Sequence, residues 1–275
     1  MPRIPLEDNF TDVIGKAQRG LGLSDEDLAA RAEISLADLA AVKEGKALSA
    51  VIRRVARHLK LNPAALDALA HKRWYPEQPT FPRGFAAFNT VYGDMTVNSY
   101  LVWDSREKVA AAFDTGASCE AMVDVVEAEG LQLRYIFLTH AHEDHVADLE
   151  KLAAAAPQAE VWSSEKEPVS HPGARTFTEN VHFHVGGLAI KTLLTSGHSP
   201  GLTTFFVTGL SWPLAIVGDA LFASSMGGSV THFLEQHRTT GQKIFALPRD
   251  TVIAPGHGPL TTLAQERQHN PFFAR

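Results

Sequence analysis

Cysteine is nearly absent from this 275-residue chain, which carries only Cys119. A single cysteine cannot form an intrachain disulfide, so the fold must depend on its apolar core. The chain also lacks any apolar run of roughly 18 residues or more, the length that a transmembrane helix needs. Its first residues, Met1 to Asp8, lack the apolar segment of a signal peptide. From these absences we expect a cytoplasmic protein without a membrane partner.

A basic excess is also missing, because the formal net charge is −6. Residues 1–75 hold 12 Lys and Arg against 10 Asp and Glu, whereas residues 76–275 hold 13 against 21. The larger part is therefore unsuited to binding a polyanion through its general electrostatic field. The hydrophobic share of 45% predicts a substantial core.

Helical periodicity dominates residues 10–72, which are rich in Ala and Leu. Ser24 and Ser35 are each followed by acidic residues and are typical helix N-caps. Gly45 and Asn62-Pro63 are a stop signal and a start signal for further helices. We predict a small all-α domain at residues 1–75, followed by a Pro-rich linker at 76–84.

Residues 85–275 show short apolar runs that alternate with helical segments. The runs at 97–103 and 109–114 are separated by a hairpin-like break, and further runs recur up to 252–254. They lack the strict alternation of a doubly wound parallel sheet. We therefore predict an α+β fold in which two sheets carry helices on their outer faces.

The stretch Thr139-His140-Ala141-His142-Glu143-Asp144-His145 is the most informative one. It follows a predicted buried strand at 133–138 and precedes a predicted helix, a position where α/β proteins expose reactive side chains. Buried imidazoles and carboxylates need partners, and a divalent metal is a partner that both accept. The stretch therefore predicts a metal site.

Further candidate ligands follow other predicted strands, and none of them is a thiolate. Nitrogen and oxygen ligands in this number suit two divalent metals, zinc foremost, with iron or manganese as alternatives. The predicted ligand set consists of His140, His142 and His198 for one metal, Asp144, His145 and His257 for the other, and Asp219 as a bridge.

Four spaced motifs carry a resemblance to a known family: T-H-A-H-E-D-H at 139–145, S-G-H-S-P-G at 196–201, G-D-A-L-F at 218–222 and P-G-H-G-P at 255–259. From about residue 85 onward the chain resembles the metallo-β-lactamase superfamily, which has an αββα sandwich. Residues 255–273 are most similar to short bacterial glyoxalase II-like hydrolases. The resemblance implies a hydroxide between two metals that attacks the carbonyl of a small thioester or ester. Asp144 would be catalytic by orienting the hydroxide, or a ligand only.

One segment departs from the glyoxalase II-like pattern. After G-D-x-L-F such relatives usually carry a cation that helps to hold a glutathione carboxylate, whereas this chain has Ser224 to Ser229. Arg83, Arg175 and Arg238 are the candidates to replace that cation.

Residues 23–45 resemble an Xre-type helix-turn-helix, which implies that the helix after Ser35 would enter the major groove of DNA. That helix offers few side chains for reading bases. Four basic side chains are the candidates for contacts with the DNA backbone: Lys43, Lys46, Arg53 and Arg54.

Three functions are therefore open. The first is a metallohydrolase whose helical domain serves packing or homodimer formation. The second is a DNA-binding regulator with a metallo-β-lactamase-like sensor domain. The third is an iron-dependent sulfur dioxygenase, which uses a similar ligand set at one metal.

Overall fold

Short helices occupy the first part of the chain in a computed structural model, which describes residues 3–275. Their bounds are α1 Phe10–Gly20, α2 Asp25–Ala32, α3 Leu36–Lys43, α4 Ser49–His58 and α5 Pro63–Ala70. The predicted caps are confirmed, since Ser24 Oγ and Ser35 Oγ each accept a backbone N–H at 3.0 Å. Asn62 Oδ1 accepts two N–H groups at the start of α5. We call residues 10–70 the helical unit.

The helical unit shares its hydrophobic core with residues from the last fifth of the chain. Met226, Phe233 and Phe272 belong to the same buried cluster as the apolar faces of its helices. The Pro-rich stretch 76–84 also lies on the rest of the protein, because Gln78 Nε2 donates to Leu260 O at 2.9 Å. The domain boundary at 76–84 stays a prediction, but the helical unit is packed against its neighbour rather than held at a distance.

Two six-stranded sheets form the rest of the protein. The first contains β1 Phe85–Tyr92, β2 Met95–Trp103, β3 Val109–Phe113, β4 Gln132–Phe137, β5 Glu160–Ser164 and β6 Arg175–Phe177, in that order. The second runs in the reverse order and contains β7 His182–Val185, β8 Leu188–Leu194, β9 Thr203–Thr208, β10 Leu214–Gly218, β11 Val252–Pro255 and β12 Thr261–Thr262. The predicted α+β fold with two sheets is confirmed.

Aromatic side chains fill the space between the sheets, where Phe113, Phe137 and Phe205 are fully buried and contact one another. The remaining helices are α6 Glu120–Ala128, α7 Glu143–Val146, α8 Leu149–Ala155, α9 Phe233–Thr239 and α10 Leu263–His269, with a π-helical turn at Thr240–Ile244. Among the residues that the structure describes, no helix is long and apolar enough to cross a membrane.

Strand direction decides where the functional loops lie. Strands β3 to β6 are parallel neighbours, and β10 is parallel to β11. The carboxyl ends of parallel neighbours meet at one edge of a sheet. The loops after β3, β4, β10 and β11 therefore lie at strand ends of this kind, and they carry the candidate ligands apart from His198, which follows β8.

Candidate metal centre

The structure brings all seven predicted ligand side chains together. Their nitrogen and oxygen atoms form three groups, each with its atoms within 4.8 Å of one another. The groups are His140 with His142 and His198, His140 with His145 and Asp219, and Asp144 with His145 and His257. The first and third groups match the two predicted ligand sets, and Asp219 lies between them. Its carboxylate oxygens are 3.4 Å from His145 Nε2 and 3.3 Å from His198 Nε2.

Hydrogen bonds at Nδ1 fix the orientation of three imidazoles. His145 Nδ1 donates to Asp114 Oδ2 at 2.8 Å, and His257 Nδ1 donates to Thr96 O at 2.7 Å. His198 Nδ1 donates to the carbonyl oxygen of Gly228 at 2.8 Å. A proton held at Nδ1 makes Nε2 the nitrogen that binds a metal once Nε2 is unprotonated, and this is the tautomer that a metal-binding imidazole needs.

Buried atoms without partners test whether these residues fit a metal. His140 Nε2, His145 Nε2 and Asp219 Oδ1 are buried and have no hydrogen-bond partner among the described residues. Such atoms are costly unless something satisfies them. His142 Nδ1 and His198 Nε2 lie 3.0 Å apart. A set of imidazole and carboxylate donors with unsatisfied atoms that converge fits divalent metals.

Electrostatics in the metal-free cluster divide the histidines into two classes. Burial lowers the pKa of His140 well below its ordinary value, and burial also lowers the pKa of His198. Burial opposes the charged form of His257 as well, but hydrogen bonds to Asp144 and Asp219 outweigh it and raise its pKa to about 11. In the same way burial of His145 is outweighed by Asp114 and Asp219, which raise its pKa to about 10. Without metal, the protons on His145 and His257 therefore offset the negative charge of the neighbouring aspartates.

The two ligand carboxylates respond in the opposite direction. Burial alone would raise their pKa values. For Asp219, the imidazoles of His145 and His257 lie 3.4 and 3.5 Å away, and their attraction outweighs burial and holds the pKa well below its usual range. For Asp144, His257 and His145 similarly lower the pKa. Both carboxylates are therefore ionised at neutral pH and available as ligands.

Asp114 supports the cluster without belonging to it, and the sequence assigned it no role. It directly follows β3 and has a φ of 55°, a conformation that aspartate tolerates. Its carboxylate accepts hydrogen bonds from Thr139 N, Thr139 Oγ1 and His145 Nδ1 at 2.7–2.8 Å. Thr139 Oγ1 in turn lies 3.0 Å from His140 Nδ1. The signal for Asp114 was its place after a strand parallel to the one before Thr139.

Glu167 is a second residue that the sequence did not indicate. Its carboxylate accepts hydrogen bonds from Ala141 N, Ser199 Oγ and Gly201 N, so it joins the loop of His140 to the loop of His198. It follows β5, the next parallel strand along the sheet. Its position after that strand was again the available signal.

Close packing restricts the loop that carries His257. A side chain at Gly256 would overlap Asp219 Oδ1, and its first carbon would lie 2.7 Å from His145 Cε1. Glycine is therefore required at this position to let the backbone approach the cluster.

A cleft of about 440 Å³ opens beside His142 and His198. Lys166 and His232 also line it, together with residues 228–231. The arginines that the sequence offered as substitute cations lie elsewhere: Arg175 pairs with Glu160 at 3.1 Å, and Arg238 contacts Gln242. Arg83 lines a separate depression near Trp103. Lys166 is thus the lysine of the cleft, and sequence reasoning missed it.

Most of the DNA-contact candidates are engaged within the helical unit. Lys43 Nζ pairs with Asp25 at 2.7 Å, and Arg53 pairs with the buried Asp67 at 2.9 Å. Arg54 Nη1 donates to Glu33 O at 2.9 Å. Lys46 is exposed on the surface. Their contacts with DNA stay a prediction.

Comparison with known proteins identifies the family to which this chain is similar. The model of the Metallo-beta-lactamase superfamily matches residues 92–257. Hydroxyacylglutathione hydrolase GloC of Haemophilus influenzae is 30% identical over 202 residues, which cover 64% of this chain and 92% of the relative.

Two solved structures are also similar. The crystal structure of BLEG-1 B3 metallo-beta-lactamase has a TM-score of 0.59 at 26% identity and covers 69% of this chain and 100% of that one. The structure of TTHA1623 in a di-iron-bound form has a TM-score of 0.55 at 26% identity and covers 67% and 99%.

Proposed function

Because the chain belongs to the Metallo-beta-lactamase superfamily, we propose that it is a dinuclear metallohydrolase that cleaves a small thioester or ester. One observation carries the proposal. The seven imidazole and carboxylate side chains form three adjoining groups, in which His140 joins the first to the second and His145 joins the second to the third, and atoms in them are buried without partners. One metal would leave part of this set unused, whereas two would employ all of it. The superfamily implies divalent metals, and we propose zinc.

His140, His142 and His198 would hold one ion, and Asp144, His145 and His257 the other, with Asp219 between them. When bound, two such ions supply a hydroxide at neutral pH and stabilise the oxyanion that develops on a carbonyl. The protein's own contribution is orientation: Asp114, Thr96 O and Gly228 O hold three imidazoles in the required tautomer. We propose Asp144 as the catalytic residue, whose second oxygen orients the attacking water.

The cleft beside His142 and His198 supports a substrate of modest size. Lys166 supplies one cation to its lining, Glu235 supplies one carboxylate, and Val230 adds an exposed apolar surface. This combination favours an acyl group with an anionic thiol or alcohol portion. The name of the Haemophilus influenzae relative is consistent with a thioester of that kind.

The test is metal analysis followed by hydrolysis assays on the purified full-length protein. We expect two zinc ions per chain, turnover of thioesters or esters in a panel that also includes lactones and a β-lactam, and loss of turnover in His142→Ala. One iron per chain with oxygen consumption on a persulfide would instead indicate the sulfur dioxygenase. Operator binding at low salt, without turnover of any substrate, would indicate the regulator.

A further inference from the structure

The segment after Asp219 carries a contact that orients a candidate ligand. The carbonyl of Gly228 accepts the hydrogen bond from His198 Nδ1, and Gly227 N donates to Asp219 O at 3.1 Å. Gly227 also packs so closely on Asp219 O that a side chain there would overlap it. The position of Gly227 and Gly228 therefore decides how His198 and Asp219 are presented.

Two charged side chains from the start of the chain hold this segment. Ser225 Oγ donates to Asp8 Oδ2 at 2.5 Å, and Lys16 Nζ donates to Met226 O at 3.0 Å. Asp8 and Lys16 form an ion pair with each other. Asp8 is only 7% exposed, so its carboxylate depends on the ion pair with Lys16 and the hydrogen bond from Ser225.

Packing reinforces the same connection. The Met226 side chain is fully buried in the core of the helical unit, beside the apolar faces of its helices. A carbon added at Gly228 would lie 3.7 Å from Lys16 Cε. From the other side, Asn270 Nδ2 donates to Ser225 O at 2.8 Å. The segment is thus fixed between the helical unit and α10.

We propose that Asp8 and Lys16 are positioning residues for the metal centre, acting through Ser225 to Gly228 on His198. This inference rests on the proposed metal centre. Both residues lie outside the part of the chain that matches the family model, residues 92–257. The helical unit is accordingly part of the hydrolase site, and its removal or distortion changes metal binding.

The experiment titrates metal-free full-length protein with Co²⁺, followed by its visible absorption, and with Zn²⁺ in competition with a chelator. For Asp8→Asn and Lys16→Met we expect about tenfold weaker binding of one of the two metals, as for other residues that orient ligands. The Co²⁺ spectrum should change as well. Lys16→Arg keeps a cation and a donor and should restore the wild-type spectrum.

Asp67→Asn is the matched control, because Asp67 is a buried aspartate of the helical unit that pairs with Arg53 away from the cluster. It should lower the melting temperature and leave both metal affinities unchanged. Wild-type affinities and spectra in folded Asp8→Asn and Lys16→Met would overturn the inference while leaving the proposed function intact. If Asp8→Asn does not fold, Ser225→Ala decides by the same criteria, since it removes one hydroxyl and no charge. Failure of the wild type to bind two metals would overturn both proposals.

Discussion

Asp114→Asn tests how the cluster is held, because the substitution keeps the size of the side chain and changes only its hydrogen bonding. Asp114 Oδ2 accepts from both Thr139 Oγ1 and His145 Nδ1, each at 2.8 Å. Its other oxygen accepts from Thr139 N at 2.7 Å. An asparagine that keeps the bond from Thr139 N must turn its NH₂ group toward two donors.

The consequence is an inverted tautomer at two imidazoles. His145 can face the NH₂ group only if Nδ1 accepts, which moves its proton to Nε2, the atom that would bind metal. Thr139 Oγ1 would likewise accept from the NH₂ group and donate to His140 Nδ1, so His140 Nε2 would carry a proton too. Loss of one such orienting partner weakens metal binding by about 10–100-fold. Because two imidazoles are affected, we expect a loss near 100-fold, or about 2.7 kcal/mol.

Zn²⁺ affinity measured by chelator competition is the assay, with circular dichroism to show that the variant is folded. Asp104→Asn is the control, since Asp104 accepts from three backbone N–H groups and lies in the turn between β2 and β3, at the opposite end of β3 from Asp114. It should bind zinc as the wild type does. A folded Asp114→Asn protein with zinc affinity within threefold of the wild type would refute the proposed orientation of His145 and His140.

Four further predictions follow from the site and its surroundings. Gly256→Ala should abolish binding of at least one metal because its methyl group overlaps a ligand carboxylate, whereas Gly241→Ala, which has room, should not. Binding of two metals at pH 7 should release about three protons, two from the cluster histidines whose pKa values are about 10 and 11 without metal and one from the water that becomes the proposed hydroxide. Calorimetry in buffers of different ionisation enthalpy measures this release, and a release near zero would contradict the prediction. Lys166→Met should raise KM for an anionic thioester and leave KM for a neutral one unchanged, and equal effects on both would exclude a charge contact. Burial raises the pKa of Glu266 from 4.5 to about 7, so its stabilising contribution is present below pH 4.5 and is lost as the pH rises through 7. Between pH 4.5 and 8 the free energy of unfolding of the wild type, measured with urea, should fall by about 3 kcal/mol relative to that of Glu266→Gln. The same pH dependence in both proteins would contradict this prediction.

Many of the strands could be predicted from the local pattern of apolar and turn residues. Runs such as 97–103 and 109–114 became β2 and β3 because apolar, β-branched and aromatic residues recur between turn residues. Strands β1, β6 and β12 were not individually predicted. β6 and β12 have three and two residues, too few for a periodic pattern, and β1 has mixed burial along its length. Long-range pairing, not local preference, places these strands.

The candidate ligands could be predicted because they follow strands, and strand direction brings such loops together. The residues that orient them could not be predicted in this way. Asp114 and Glu167 are acidic residues to which the sequence assigned no role, and their roles depend on which strands are neighbours. Strand order is a property of the whole sheet, since β3, β4 and β5 become adjacent only when the fold is complete.

The segment Ser224 to Ser229 shows the limit of local reading most clearly. In the sequence, this segment lacks the cation that glyoxalase II-like relatives usually carry there. In the structure a cation, Lys16, lies against it, although it comes from 210 residues earlier in the chain. Asp8 neutralises Lys16 and Met226 O occupies one of its donors, so this cation stabilises the protein's own backbone and is not free for a substrate carboxylate. Lys166, which lines the cleft, is therefore the cation to test for contact with an anionic substrate, and a substrate panel should vary substrate charge first.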